Sequence, residues 1–262
     1  MIRYKLVPLL IWACLTVNVT QIAQAGVMPE KTRLIFDEGQ SHRSLMLANT
    51  NAYPVVVQTW VDNGEGNQAP ENTVSTMVAL PSVFRLQPGA LQGLRIVYDG
   101  SSLPKDRESV SWLNIYEIPP AKASAPLIAT QVAVAMNTQM KIFYRPANLP
   151  STPEQMAATL TFSLKQQSDG WVLICHNPTP YHASFSSLRL VAQGHDQPVA
   201  KTPDMMTPPL SDKAYSLEAL NLGGLIGLAV NYTLIDDEGH YHDGSATVQT
   251  ESGRALPSSP HL

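Results

Sequence analysis

The stretch QVAVAMNTQMKIFYRP, residues 131–146, places apolar side chains at alternate positions over most of its length. This alternation indicates a β-strand with one apolar and one polar face. It continues for roughly twice the five or six residues of an ordinary strand. Either the apolar row is the inward face of an ordinary sandwich, or its excess length packs against a partner. The apolar row comprises Val132, Val134, Met136, Thr138, Met140 and Ile142.

Turn-forming residues divide the rest of the chain into short segments. Proline supplies 21 of the 262 residues, which is about 8% against a usual share near 5%. Seven strand-like segments lie before the PANLPST turn region and six follow it, and neither half shows a long helical periodicity. The sequence therefore predicts an all-β chain with one β-sandwich domain at residues 26–147 and a second at residues 148–262.

Residues 1–25 have the features of a removable export signal. Arg3 and Lys5 precede the apolar run LVPLLIWACLTV, and the small residues AQA at 23–25 suit cleavage. The run is shorter than the roughly 20 residues that span a bilayer, so no stable membrane insertion is expected. The mature chain then keeps one cysteine, Cys175, and cannot form an intramolecular disulfide. Whether this thiol is buried or reactive is left open by the sequence.

The charge balance excludes two classes of partner. The chain has 17 Lys and Arg residues against 21 Asp and Glu residues, for a formal net charge of −4. Removal of the signal takes away two cations and no carboxylate, so the mature chain is more acidic still. Nucleic acid and anionic membrane surfaces are therefore not expected to bind it.

Familiar catalytic motifs are missing from the sequence, which contains no G-x-S-x-G, P-loop or H-E-x-x-H pattern. The segment DDEGHYHDG offers one metal candidate, because His240 and His242 are spaced to share one face of a strand near three carboxylates. The same segment also has the composition of a polar hairpin turn. We predict no metal and no cofactor.

Three strand cations, Arg33, Lys141 and Arg145, admit two interpretations. They face water, as most strand cations do, or a pair of them lies in a cleft and binds a carboxylate through charge-assisted hydrogen bonds. Sequence spacing alone does not bring Arg33 and Lys141 together.

Four motifs resemble one protein family in their order and domain positions. They are KTRLIF (31–36), LPKDRESVSWLNIYEIPP (103–120), MKIFYRP (140–146) and HNPTPYHASFSSL (176–188). Together they resemble the periplasmic chaperones of the chaperone-usher pathway, which assemble pili in Gram-negative bacteria. The resemblance implies two immunoglobulin-like domains arranged as a boomerang with a cleft between them.

The resemblance also assigns roles to individual residues. Family members lend the last strand of the first domain to a pilus subunit that lacks one strand, by adding it to an open sheet edge. On this basis Val132, Val134 and Met136 are the donated side chains. Arg33 and Lys141 match the two cations that anchor the subunit's C-terminal carboxylate.

Glu108, Arg145 and Asp237 match an ion network that orients the two domains, although Asp236 is the alternative to Asp237 in the alignment. The segment AKASAPLIAT (121–130) is closest in length to the branch of the family with a short F-G loop. Many relatives carry a disulfide in the second domain, which this chain cannot form.

These observations predict a non-enzymatic periplasmic chaperone that binds, folds and caps pilus subunits and delivers them to an outer-membrane usher. One alternative is that the chain is itself a pilus subunit or adhesin. Another is a secreted metal-dependent enzyme that uses His240 and His242. The sequence leaves open which subunits and usher are served, and whether the free protein self-associates through its donor strand.

Overall fold

The computed structural model describes residues 26–64, 75–120, 134–167, 170–192, 195–217 and 227–250. Seventeen strands and one short 3₁₀ helix, Pro153–Ala158, make up the regular structure of these ranges. The strands of the first domain are β1 Val27–Pro29, β2 Arg33–Asp37, β3 His42–Asn49, β4 Val55–Asp62, β5 Met77–Leu80, β6 Val83–Leu86, β7 Leu91–Tyr98, β8 Ser109–Ile118 and β9 Met136–Arg145. Those of the second are β10 Thr161–Gln167, β11 Gly170–Asn177, β12 Ala183–Ala192, β13 His195–Pro198, β14 Met206–Thr207, β15 Ser211–Ser216, β16 Ala229–Ile235 and β17 Tyr241–Thr250.

The first domain is a sandwich of two sheets. One sheet has the strand order β1-β3-β7-β5, and the other has the order β2-β9-β8-β4-β6. Neighbouring strands are antiparallel, except that β2 runs parallel to β9. Alternate residues from both sheets form the core between them, as expected for sheets packed face to face. Core residues that are at most 1% exposed include Leu45, Leu94, Ile96, Leu113, Ile115 and Ile142.

In the sheet that contains β9, this strand pairs with β8 over a longer stretch than it pairs with β2. Strand β9 pairs with β8 from Met136 to Tyr144, but it pairs with β2 only from Lys141 to Arg145. Residues 136–140 therefore have no strand partner on the β2 side within the described parts of the chain. The predicted strand beginning at residue 131 is described from Met136 onward, and residues 131–133 lie outside the described ranges.

The second domain contains one sheet of order β13-β12-β16-β17-β10-β11-β15, in which a short parallel pairing of β10 with β17 joins two antiparallel halves. The two halves pack against each other through aromatic side chains, because Phe162 of β10 lies 6.4 Å from Phe185 of β12 between ring centroids. Tyr215 of β15 also meets Phe185, at 6.1 Å. The domain therefore buries its inward rows against one another without a disulfide, and Cys175 is 0% exposed in that core.

The all-β architecture predicted from the sequence is confirmed, with differences in detail. Strands β1 and β5 of the first domain were not predicted, because three and four residues are too few for an alternating pattern to stand out. The described residues contain no helix long and apolar enough to cross a membrane.

Candidate functional site

The uncovered part of β9 has an apolar row that points toward the sandwich interior and a polar row that points outward. Met140 and Ile142 are buried members of the inward row. Toward the open end the same row becomes accessible, since Met136 is 42% and Val134 is 72% exposed. Val132, the third predicted donor residue, lies outside the described residues. The strand thus presents an unpaired backbone edge and exposed apolar side chains together.

Met136 lies at one end of the sandwich, beside Gly26, the first residue that the structure describes. A Cβ at Gly26 would collide with the Met136 methyl group, and Gly26 has a φ of +83° that favours glycine. Nearby, the buried Glu117 carboxylate accepts hydrogen bonds from the backbone N–H of Val27 (2.8 Å) and the side chain of Asn51 (2.7 Å). Gly26, Val27 and this carboxylate therefore lie beside Met136 at this end of the sandwich, while part of the Met136 side chain stays accessible.

The outward row of β9 is held by a hydrogen-bonded ladder of polar side chains, here called the amide ladder and comprising Asp62, Asn114, Asn137 and Gln139. The Oδ1 atom of Asn114, which is 1% exposed, accepts from the side-chain amides of Asn137 and Gln139, each at 2.9 Å. Its Nδ2 donates to the buried Asp62 carboxylate at 2.7 Å. Since a one-residue slip would reverse the faces of β9, the ladder fixes the register of the exposed segment. Sequence analysis did not identify it.

Arg33 and Lys141 lie directly opposite each other on the parallel strands β2 and β9. Arg33 is 7% exposed, and its Nη1 donates to the carbonyl of Ile235 in the second domain at 3.0 Å. Its guanidinium lies 5.7 Å from the ring of Phe143, and its buried Nε has no hydrogen-bond partner among the described residues. Burial lowers the pKa of Arg33, although nearby carboxylates, Asp237 foremost, oppose the effect. The structure thus places both predicted anchor cations side by side, where the second domain meets the first.

Lys141 already has a carboxylate partner. Its Nζ lies 2.9 Å from Oδ1 of Asp204, in the loop before β14 of the second domain. The Lys141 side chain is 22% exposed, so part of it remains accessible to solvent. No sequence motif pointed to Asp204.

The predicted ion network is assembled between the domains. Arg145 donates from Nε and Nη2 to Oε1 of Glu108, at 3.2 and 2.8 Å. It also makes two bonds to the Asp237 carboxylate, at 2.6 and 3.0 Å. Burial alone would lower the pKa of Arg145, but its hydrogen bonds to Asp237 and the charge of Glu108 raise it above the usual value. The structure brings together Glu108, Arg145 and Asp237, and not Asp236.

Two further residues, both within HNPTPYHASFSSL, complete this network. His182 donates its backbone N–H to Oε2 of Glu108 at 2.9 Å, and its Nδ1 lies 2.8 Å from the same oxygen. The Arg145 guanidinium lies 5.1 Å from the Tyr181 ring, within cation–π range. Glu108, whose side chain is 2% exposed, is therefore bonded from both domains.

The metal candidate forms the β16–β17 hairpin turn. Oδ1 of Asp236 accepts the backbone N–H groups of Glu238 (3.0 Å) and His240 (2.7 Å), as an Asp in such a turn does. Its Oδ2 lies 2.6 Å from Nε2 of His242. Burial raises the pKa of Asp236, but the hydrogen bond from His242, that from the His240 backbone and the charges of both histidines together outweigh it and lower the pKa to about 2. Potential ligand atoms of Asp236, Glu238 and His240 lie within 4.8 Å of one another, yet both imidazoles are largely exposed.

Two family models match the chain, and together they cover both domains. Residues 26–150 match the N-terminal domain of PapD, described as a pili and flagellar-assembly chaperone. Residues 155–246 match the C-terminal domain of the pili assembly chaperone PapD.

Similar proteins agree with these matches. The chain is 34% identical to the chaperone protein FimB/FhaD of Bordetella pertussis, over 87% of this chain and 90% of that relative. It is also 34% identical to the probable fimbrial chaperone YadV of Escherichia coli, over 85% and 89%.

Solved structures extend the agreement to the fold. The crystal structure of the YadV chaperone matches with a TM-score of 0.70 at 31% identity, covering 84% of this chain and 98% of that one. A Salmonella enterica structure of the SafB chaperone with the SafA pilin matches with a TM-score of 0.67 at 25% identity, covering 85% and 96%. These matches confirm the predicted pair of immunoglobulin-like domains arranged as a boomerang. The chain belongs to the pilus-assembly chaperone family.

Proposed function

We propose that this protein is a periplasmic chaperone that captures pilus subunits by lending them strand β9, and then passes them to an outer-membrane usher. The observation that carries the proposal is the one-sided edge of β9. Residues 136–140 are paired with β8 but not with β2, and the open stretch ends next to the Arg33–Lys141 pair. A subunit strand added to this edge would end beside two cations.

The open edge supports strand addition because backbone and side chains are both available. An incoming subunit strand would form hydrogen bonds with the free backbone groups of residues 136–140. The core of that subunit would then pack against the exposed apolar side chains of β9 and the residues just before it. Met136 and Val134 are 42% and 72% exposed in the free protein. Burying each of them in a subunit core would contribute up to about 1.5–3 kcal/mol before the cost of ordering.

The cation pair supports recognition of a chain end. The unpartnered Nε of Arg33 and the Nζ of Lys141, which already lies against the Asp204 carboxylate, are donors that suit a carboxylate. A C-terminal carboxylate held at this point would set the position of every upstream residue of the subunit strand along β9. Binding of the carboxylate would then anchor the subunit strand and set its register on β9 at the same time.

The remaining features fit the same role. The Glu108–Arg145–Asp237 network links the domains and so holds Ile235 of the second domain over Arg33. The export signal predicted at residues 1–25 would place the chaperone where subunits emerge. In the free protein the same edge is available for pairing with a second copy.

Co-expression with a pilus subunit from the same organism tests the proposal. We expect Arg33→Ala and Lys141→Ala each to abolish recovery of the complex. Met136→Asp should do the same, because a charge would enter the subunit core. Arg95→Ala and Lys165→Ala are matched controls, since both residues are exposed strand cations away from the cleft. Far-ultraviolet circular dichroism verifies that each variant is folded, and normal recovery of complex with folded Arg33→Ala would refute the anchor.

A further inference from the structure

The two proposed anchor cations differ in their polar contacts, because Lys141 is paired with a carboxylate and Arg33 donates to a carbonyl oxygen. The partner of Lys141 is Asp204, with Oδ1 2.9 Å from Nζ. Asp204 is in the second domain and Lys141 in the first, so the contact crosses the cleft. An acidic side chain thus lies where an acidic chain end is proposed to bind.

This ion pair is close but poorly aligned. Although Oδ1 of Asp204 is shielded from solvent, it accepts no well-formed hydrogen bond from any described residue. Charge-assisted bonds are strong when their geometry is good, and they weaken steeply with misalignment. The Asp204 carboxylate therefore neutralises Lys141 without holding it tightly.

Asp204 has a second cation within reach. Nζ of Lys213 donates to the backbone carbonyls of Asp204 (2.7 Å) and Met206 (2.9 Å), which fixes this loop on β15. The same Nζ is 3.6 Å from Oδ2 of Asp204. If Asp204 leaves Lys141, its carboxylate keeps Lys213 as counter-ion and its backbone does not have to move.

We infer that Asp204 is a specificity-determining residue of the anchor, competing with an incoming carboxylate for Lys141. This inference rests on the proposed function. Asp204 pairs with Lys141 in the free chaperone, and a bound chain end displaces it toward Lys213. For a small carboxylate, replacing Asp204 at Lys141 releases too little free energy for tight binding. A strand that also pairs with the open edge of β9 gains enough, so the cleft discriminates in favour of chains that carry both features.

The test uses a short synthetic peptide of alternating valine and threonine, made with a free C-terminal carboxylate and again as the C-terminal amide. Binding of each form is measured by isothermal titration calorimetry. Asp204→Asn should tighten binding of the carboxylate form by roughly 1.5- to fivefold, the range for losing a partly exposed like charge. The amide form should show no change. Asp196→Asn is the matched control, because Asp196 is an exposed carboxylate paired with Arg189 in the same domain.

A second variant must shift the affinity in the opposite direction. Lys213→Met removes the alternative counter-ion, so Asp204 stays on Lys141 and the carboxylate form binds more weakly than to the wild type. Because Lys213 also fixes the Asp204 loop, the amide form is the control for this variant, and it should bind Lys213→Met as it binds the wild type. Unchanged or weaker binding by Asp204→Asn, including no binding of the peptide at all, would overturn the inference. If the wild type nevertheless captures pilin and depends on Arg33, the proposed function stands while the inference fails.

Discussion

Replacing Arg145 with alanine is the most direct perturbation of the interdomain network. The guanidinium makes four hydrogen bonds, two to Glu108 and two to Asp237. Its loss leaves Glu108, whose side chain is 2% exposed, without the cation that balances it.

The magnitude follows from the burial of the two carboxylates. Removing one partner of a buried ion pair costs about 3–5 kcal/mol. Two features place this case at the lower end, near 3 kcal/mol. Oε2 of Glu108 keeps its bonds from His182, and Asp237 is 29% exposed and can be hydrated. Asp237→Asn should cost only about 1 kcal/mol, because the Arg145–Glu108 pair survives it.

Urea denaturation followed by tryptophan fluorescence measures both values. Trp60 and Trp112 report on the first domain and Trp171 on the second. A Trp171→Phe background therefore isolates the domain that contains Glu108 and Arg145. Arg145→Lys is the informative companion, since an ammonium cannot make the two parallel bonds that a guanidinium makes to Asp237. A loss below about 1 kcal/mol for Arg145→Ala would refute the reasoning, because it would mean that solvent replaces the guanidinium at Glu108.

Two further predictions concern other parts of the molecule. Asn114→Ala should accelerate amide hydrogen exchange across residues 136–140 and weaken pilin capture, although Asn114 is only 1% exposed and cannot touch a subunit; unchanged exchange and capture, as expected for the control Gln92→Ala, would exclude a role in register. Burial raises the pKa of the Cys175 thiol to about 11, so at pH 8 it should react with a chromogenic disulfide reagent only when urea unfolds the domain. Rapid reaction of the native protein would contradict that expectation.

Period-two patterning allowed much of the fold to be read without the structure. Alternation along residues 131–146 assigns Met136, Met140 and Ile142 to one face and Lys141 to the other, because successive side chains of a strand point in opposite directions. The same local rule, with the turn-forming prolines, predicted an all-β chain of two sandwiches. Four of the shortest strands, β1, β5, β13 and β14, were not predicted, since two to four residues seldom establish a period.

Sequence by itself therefore determined which side chains share a face, since that depends only on neighbours along one strand. Tertiary structure decided which strands lie side by side. Arg33 meets Lys141 only because β2 pairs in parallel with β9 across more than a hundred residues, and the choice of Asp237 over Asp236 depends on where the β16–β17 turn meets Arg145. Asp204 and the amide ladder escaped prediction for the same reason. A carboxylate or an amide has no periodic signature, and its partner is chosen by the packing of distant strands.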